Sequence, residues 1–206
     1  MPYGDEAGQQ VDSTEYRGLI GSLLYLIASR SNIQFGIFLC ARFQSNPKES
    51  HFKGAKRILK YLKGTINVGL WYPNESNIVL SGFSDSDYAG YKLDRKSTSG
   101  TCHLLGSSLI SWNSIKQACV ALSTTEVEYI AIRHACAQRI WLKYHLIDYG
   151  VKLEKVPLYC DNTSAIDLTK NPIQYSKTKH IEIKHHFIRD HIQNCVIEIK
   201  FVKTEK

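Results

Sequence analysis

A turn-forming cluster at Pro73–Asn77 divides the sequence into two regions with different patterns. Before this cluster, apolar residues recur at helical spacing; after it, short β-type segments alternate with helix-length segments. Strands that alternate with helices predict an α/β domain built on a mixed sheet. We therefore predict a small helical segment over residues 1–75 and an α/β domain over residues 76–206.

The helical segment contains three predicted helices, at residues 16–29, 33–43 and 48–63. The third helix has one apolar stripe, and its other positions are basic and include Lys56, Arg57 and Lys60. A basic helix can follow the phosphates of a nucleic acid, although a solvated outer face is the commoner explanation.

The α/β domain begins with strands and continues with alternating helices and strands. Its predicted strands are residues 78–85, 98–105, 108–113, 118–122, 156–160 and 196–202. Its predicted helices are residues 123–149, 163–170 and 181–194. Gly106 and Ser107 separate the second strand from the third and indicate a hairpin.

Charge and composition narrow the possible partners and the compartment. The chain has 26 Lys and Arg against 19 Asp and Glu, a net charge of +7 that points weakly to a polyanion such as nucleic acid. The longest apolar stretch, residues 18–28, is too short to span a bilayer, which needs about 20 residues, so we expect no membrane partner. Six scattered cysteines without a Cys-x-x-Cys pair indicate reduced thiols in an intracellular protein.

Two predicted strands end in acidic residues. The first strand ends at Asp85 and Asp87, and a later strand ends at Asp161, directly before a helix. Acids at the carboxyl ends of neighbouring strands can meet in one crevice. The alternatives are that Asp161 is a helix N-cap and that Asp85 or Asp87 is an ordinary turn residue.

The long helix contributes a third acid. Ser123 and Glu126 form a capping-box pattern, which gives Glu126 a structural role. Glu128 lies at the head of the apolar stripe that faces the sheet, whereas Glu126 lies about 160° around the helix. A carboxylate at the head of a buried stripe needs a partner, and a divalent cation is a suitable one.

Three converging carboxylates, with no histidine or cysteine between them, favour Mg²⁺ or Mn²⁺ over zinc. In a basic chain, this set of ligands suggests two-metal hydrolysis of a phosphodiester. Asp85, Glu128 and Asp161 are the candidate catalytic and metal-binding residues.

The ordered motifs of the chain resemble the ribonuclease H domain of copia-type (Ty1/copia) LTR retrotransposon Pol polyproteins. Those motifs are FSDSDYAG (83–90), RKSTSG (95–100), ISW (110–112), ALSTTEVEYIA (121–131), LYCDN (158–162) and TKHI (178–181). The N-terminal region is similar to the stretch that links the reverse transcriptase to the ribonuclease H in the same polyproteins. It carries YRGLIGSLLYL (16–26) and AKRILKYLKG (55–64).

This resemblance implies a ribonuclease H-like α/β fold, in which helices flank a five-stranded mixed sheet. It implies that four acids hold two Mg²⁺ (or Mn²⁺) ions and cut the RNA strand of an RNA–DNA hybrid. Matched by motif, the first three acids are Asp85, Glu128 and Asp161, and Asp87 remains the runner-up to Asp85. The implied partners are the hybrid and the reverse transcriptase domain of the same polyprotein, and the implied location is the cytoplasm, in a virus-like particle.

Residues of a late basic and histidine-rich region are expected to contact the hybrid. We assign Lys179, His180 and Lys184 to a basic rim that faces phosphates, with a solvated face and a metal site as the alternatives. Asn162, beside Asp161, is a candidate for contact with a 2′-hydroxyl group.

The sequence departs from the family pattern at its C-terminal end. The fourth aspartate of the family lies a few residues beyond Phe201–Lys206, near the start of a final helix, and this chain stops first. The paired catalytic aspartates of the polymerase are also absent. We therefore expect a C-terminally truncated module with weakened cleavage, and the alternative is an inactive remnant that at most binds hybrid.

Overall fold

The computed structural model describes residues 7–74, 78–91, 93–153, 156–170 and 197–203. The chain divides into two compact units, Met1–Trp71 and Tyr72–Lys206. No helix within the described ranges is both long and apolar enough to cross a membrane.

The first unit is helical. It contains α1 (Ser13–Leu26), a short 3₁₀ helix (Ser31–Ile33), α2 (Gln34–Ala41) and α3 (Glu49–Gly64), so the three predicted helices are confirmed. The carboxylate of Asp12 caps α1, because it accepts hydrogen bonds from the N–H groups of Thr14 and Glu15. The three helices share a core whose buried residues include Tyr16, Ile20, Leu23, Ile37 and Ala55.

The second unit is a five-stranded mixed sheet with helices. Its elements are β1 (Leu80–Ser86), β2 (Thr98–Leu105), β3 (Ser108–Lys116), α4 (Thr124–Asp148), β4 (Val156–Cys160), α5 (Thr163–Lys170) and β5 (Ile197–Phe201). The strand order is β3-β2-β1-β4-β5. The pairs β1–β2 and β2–β3 are antiparallel, whereas β1–β4 and β4–β5 are parallel. The predicted mixed sheet is confirmed.

One predicted strand, residues 118–122, is absent, because β3 continues to Lys116 and the chain then bends away from the sheet. Gln117 holds this bend in place. Its backbone N–H donates to the carbonyl of Ser97 at 2.8 Å. Its buried side-chain amide donates to the Ser99 hydroxyl and to the Val127 carbonyl at 2.9 and 3.1 Å. The predicted helix at residues 181–194 lies outside the described residues.

Helix α4 packs on the sheet through an apolar face. Tyr129, Ile132, Ala135 and Cys136 of α4 join Leu158 and Cys160 of β4 and Ile197 and Ile199 of β5 in one core. Because β4 alternates, Val156, Leu158 and Cys160 are buried in turn. This alternation ends β4 with a buried sulfur and then an exposed acid, Asp161.

Candidate active site

Two of the predicted acids lie at the ends of neighbouring strands. Asp85 lies one residue before the end of β1, and Asp161 directly follows β4. The parallel register pairs Gly82 with Leu158 and Phe83 with Tyr159. Two residues further along both strands, Asp85 and Asp161 come level at the same edge of the sheet, as the sequence pattern predicted.

The third acid, Glu128, reaches this edge from the first turns of α4. Its side chain is buried, with 6% of its surface exposed. Its Oε1 atom accepts a hydrogen bond from the backbone N–H of Ser86 at 3.1 Å. The same N–H donates to Oδ1 of Asp85 at 2.8 Å. One backbone amide therefore holds the carboxylates of Asp85 and Glu128 side by side.

The electrostatics of Glu128 connect it to both aspartates. Burial raises the pKa of this carboxyl, the negative charges of Asp85 and Asp161 raise it further, and the hydrogen bonds from Ser86 oppose them. The resulting pKa is about 7. Three carboxylates thus act on one another at this edge of the sheet.

Glu126 has the capping role that the sequence predicted. Its backbone N–H donates to the Ser123 hydroxyl at 3.2 Å, and its carboxylate accepts from the N–H of Leu122 at 2.8 Å. Glu126 is as buried as Glu128, although the helical wheel indicated that it faces away from the sheet.

Asp87 belongs to the loop after β1. Its side chain accepts a hydrogen bond from the N–H of Thr98, and its own N–H donates to the Thr98 carbonyl at 3.1 Å. The carboxylate also fills the space that a side chain at Gly90 would occupy. The sequence left open whether Asp85 or Asp87 is a turn residue, and in the structure Asp87 makes the turn contacts.

The residue that caps α5 is Asn162 and not Asp161. Oδ1 of Asn162 accepts from the N–H of Ala165 at 2.9 Å, and its backbone carbonyl accepts from Ile166 at 3.1 Å. The N-cap alternative for Asp161 is thus wrong. The predicted contact between Asn162 and a 2′-hydroxyl stays a prediction.

Cys160 lies among the acids, contrary to the expectation that no cysteine lies between them. Glu128, Cys160 and Asp161 each offer one atom within 4.8 Å of the other two. Burial raises the pKa of the Cys160 thiol to about 11, so that the thiol is neutral near pH 7. The signal in the sequence was the inward position of Cys160, two residues after Leu158 in an alternating strand.

The residues predicted to contact nucleic acid fall into two groups. Lys56, Arg57 and Lys60 are exposed on α3 of the first unit, where the Nζ atom of Lys56 lies 4.2 Å from the centre of the Phe52 ring. Lys179, His180 and Lys184 lie outside the described residues.

The sheet order, the mixed strand directions and α4 define a ribonuclease H-like α/β fold. Over 96% of the chain, the fold is similar to the "foamy viral protease-reverse transcriptase dRH in complex with ds DNA", with a TM-score of 0.61, 13% identity and 33% of that chain covered. No protein-family model matches the sequence.

Curated relatives give the family. The chain is 40% identical over 194 residues to the retrovirus-related Pol polyprotein from transposon RE1 of Arabidopsis thaliana, covering 94% of this chain and 13% of the relative. It is 38% identical over 192 residues to the Pol polyprotein from transposon TNT 1-94 of Nicotiana tabacum, covering 93% of this chain and 14% of the relative. The chain is thus a homologue of one segment of copia-type transposon Pol polyproteins, and it spans about a seventh of their length.

Proposed function

We propose that this chain is the ribonuclease H module of a retrotransposon Pol polyprotein and that it hydrolyses the RNA strand of RNA–DNA hybrids. The observation that carries the proposal is the cluster of Asp85, Glu128 and Asp161, two of which share the N–H of Ser86. A phosphodiesterase that uses divalent cations needs such a group of carboxylates at an accessible edge.

The chemistry of these side chains fits Mg²⁺ or Mn²⁺. Carboxylate oxygens are the ligands that these hard cations prefer. Burial raises the pKa of Glu128, and the negative charges of Asp85 and Asp161 raise it further; a cation between the acids would remove that repulsion. When bound, the cations would activate a water molecule and stabilise the leaving 3′ oxygen.

The three carboxylates of the site differ in exposure. Asp85 and Asp161 are exposed and can approach a phosphodiester, whereas Glu128 is buried behind them. The N–H of Ser86 fixes the orientation of Asp85 and Glu128. A carboxylate held in this way loses less freedom when it binds a cation.

The basic side chains would bind the hybrid. Lys56, Arg57 and Lys60, together with Lys179, His180 and Lys184, would contact phosphates, and Asn162 a 2′-hydroxyl. Residues 1–75 would be the C-terminal tail of the reverse transcriptase, with the polymerase domain as the partner. We place the parent polyprotein in cytoplasmic virus-like particles.

Cleavage of a hybrid with a labelled RNA strand tests the proposal. We expect cleavage of that strand with Mg²⁺ or Mn²⁺ and none with a chelator. Asp161→Asn should slow the reaction by at least about 100-fold, which is about 2.7 kcal/mol of transition-state stabilisation. Equal cleavage rates for Asp161→Asn and the unaltered chain would show that this site does not carry out the reaction. Binding without cleavage by the unaltered chain would favour the alternative, an inactive hybrid-binding protein.

A further inference from the structure

A sulfur atom belongs to the acid cluster, and the proposed hydrolysis does not use it. Sγ of Cys160 lies 3.9 Å from Oε2 of Glu128. With a carboxylate oxygen of Asp161, these atoms form a group in which every separation is 4.8 Å or less. The group therefore offers one soft donor and two hard donors.

Cys160 is held in this position by its strand and its neighbour. It is fully buried at the inward-facing end of β4. The backbone N–H of Asn162 donates to its sulfur at 3.4 Å. An N–H directed at the sulfur stabilises a thiolate as well as a thiol, because it places a partial positive charge beside the sulfur.

The donor set suits a different kind of cation from Mg²⁺. Zinc binds cysteine sulfur at about 2.3 Å and carboxylate oxygen at about 2.0–2.2 Å. Donors around a tetrahedral ion therefore lie about 3.5 Å apart. The distance of 3.9 Å between the Cys160 sulfur and Oε2 of Glu128 is close to this value. Mg²⁺ takes oxygen ligands and leaves the sulfur unused.

We propose that Glu128, Cys160 and Asp161 bind one thiophilic divalent cation, Zn²⁺ or Cd²⁺, with the Cys160 sulfur as a ligand. Binding replaces the thiol proton by the metal and releases that proton to solvent, with no change of oxidation state. Because two of the three ligands are carboxylates proposed to hold Mg²⁺, the thiophilic cation excludes the hard cation. This exclusion rests on the proposed function, whereas the binding itself does not.

Cadmium is the probe, because a cadmium–thiolate bond absorbs in the ultraviolet. We would titrate Cd²⁺ into the full chain, reduced with a phosphine that does not compete for metal. We expect one tight equivalent, with the thiolate absorption lost in both Cys160→Ala and Cys160→Ser. The matched control is Cys136→Ala, at another fully buried cysteine of the same core. Cys136 follows Glu128 by eight residues, about 12 Å along α4, and its removal should leave the absorption unchanged.

Two further measurements connect the sulfur to the acids. Glu128→Gln should weaken Cd²⁺ binding by about tenfold or more, since even outer partners of metal ligands change affinity by about 10- to 100-fold. Excess Mg²⁺ should raise the Cd²⁺ concentration needed for half-saturation. The proposed Cd²⁺ site would be refuted if the absorption survived in both Cys160 variants or was also lost in Cys136→Ala. It would equally be refuted if Glu128→Gln had no effect on Cd²⁺ binding. Tight Cd²⁺ binding in a chain that cleaves no hybrid would refute the proposed hydrolysis alone.

Discussion

The backbone N–H of Ser86 donates to carboxylates from two different elements, Asp85 of β1 and Glu128 of α4. One donor cannot neutralise two negative charges, so the pair remains repulsive. Burial, and after it this repulsion, keeps the pKa of Glu128 raised. Without a cation, this arrangement is a cost to the folded protein.

The cost should be visible in the pH dependence of stability. The pKa of Glu128 is about 7 in the folded protein against 4.5 ordinarily. The folded state therefore holds the proton more tightly, and the free energy of unfolding falls as the pH rises from about 4.5 to about 7. Glu128→Gln, which keeps an acceptor for Ser86, should stabilise the protein by about 1–2 kcal/mol at pH 8, a figure reduced for solvent screening.

Urea denaturation with a chelator present measures this difference. The gain should shrink towards zero as the pH falls to about 4.5, where the unaltered carboxyl is protonated in the folded state. A Glu128→Gln protein that is less stable than the unaltered chain at pH 8 would show that burial and the neighbouring charges do not disfavour the carboxylate.

Prediction at the level of residues succeeded where helical periodicity fixes the direction in which a side chain points. The helical wheel selected Glu128 over Glu126 because α4 has one face on the sheet. A helical wheel considers only the position of a side chain around the helix and not hydrogen bonds at the helix end, so it did not indicate that Glu126 is also buried. The position of Cys160 beside Glu128 depends on how close α4 comes to β4, and no single-segment pattern contains that distance.

At the scale of elements, a buried charge lies between α4 and the sheet. Arg139 of α4 is 1% exposed, and its Nη2 donates to the Leu80 carbonyl of β1 at 2.8 Å. Within the described part of the chain, its Nε and Nη1 have no hydrogen-bond partner. Gly82 provides the space for this side chain and for His103 of β2.

Gly82→Ala should disturb the contact between α4 and the sheet. The added carbon would lie 2.9 Å from Cδ2 of His103 and closer still to Nη1 of Arg139. We expect a loss of about 1–3 kcal/mol in the free energy of unfolding, as for other overpacked cores. Arg139→Met alone should be near neutral, because it removes a buried charge and keeps similar volume.

A double-mutant cycle in urea measures the coupling. Gly82→Ala should cost less by about 0.5 kcal/mol or more in the Arg139→Met background, since methionine has no atom at the position of Nη1. Additive effects of the two substitutions would mean that Arg139 is not the group that requires glycine at position 82.

Element prediction failed where a side chain overrides local propensity. Residues 118–122 form a short, wholly apolar run that contains valine, and such a run favours a strand. The three hydrogen bonds of Gln117 instead tie the segment to Ser97, Ser99 and Val127 before a further strand can pair. Such long-range polar contacts are absent from any window of sequence.

At the scale of the whole molecule, each unit has its own core. The buried cluster of the first unit draws on residues between Tyr16 and Ala55. The clusters of the second unit draw on residues between Leu80 and Ile199. In the sequence, the turn cluster at Pro73–Asn77 lies close to the boundary between the units at Trp71 and Tyr72. The sequence indicates this boundary because the spacing of apolar residues changes where one core ends and another begins.

A chain of residues 72–206 should therefore fold alone. We expect a cooperative urea transition and a far-ultraviolet circular dichroism spectrum of mixed helix and strand. The full-length protein carrying the same tag is the control. A non-cooperative transition in the shorter chain would mean that the second unit depends on the first.

We propose that Asp85, Glu128 and Asp161 together hold a divalent cation. The most direct test is calorimetric titration of the full chain with Mn²⁺, comparing Asp85→Asn with Asp87→Asn. Both substitutions remove one negative charge, two residues apart, and asparagine at 87 can still accept from the N–H of Thr98.

We predict that Asp85→Asn weakens Mn²⁺ binding by more than about tenfold, as the loss of a direct ligand should. Asp87→Asn should change it by less than about threefold, because the Asp87 side chain is engaged in the loop. Equal losses in the two variants, or a larger loss in Asp87→Asn, would contradict the assignment of the site.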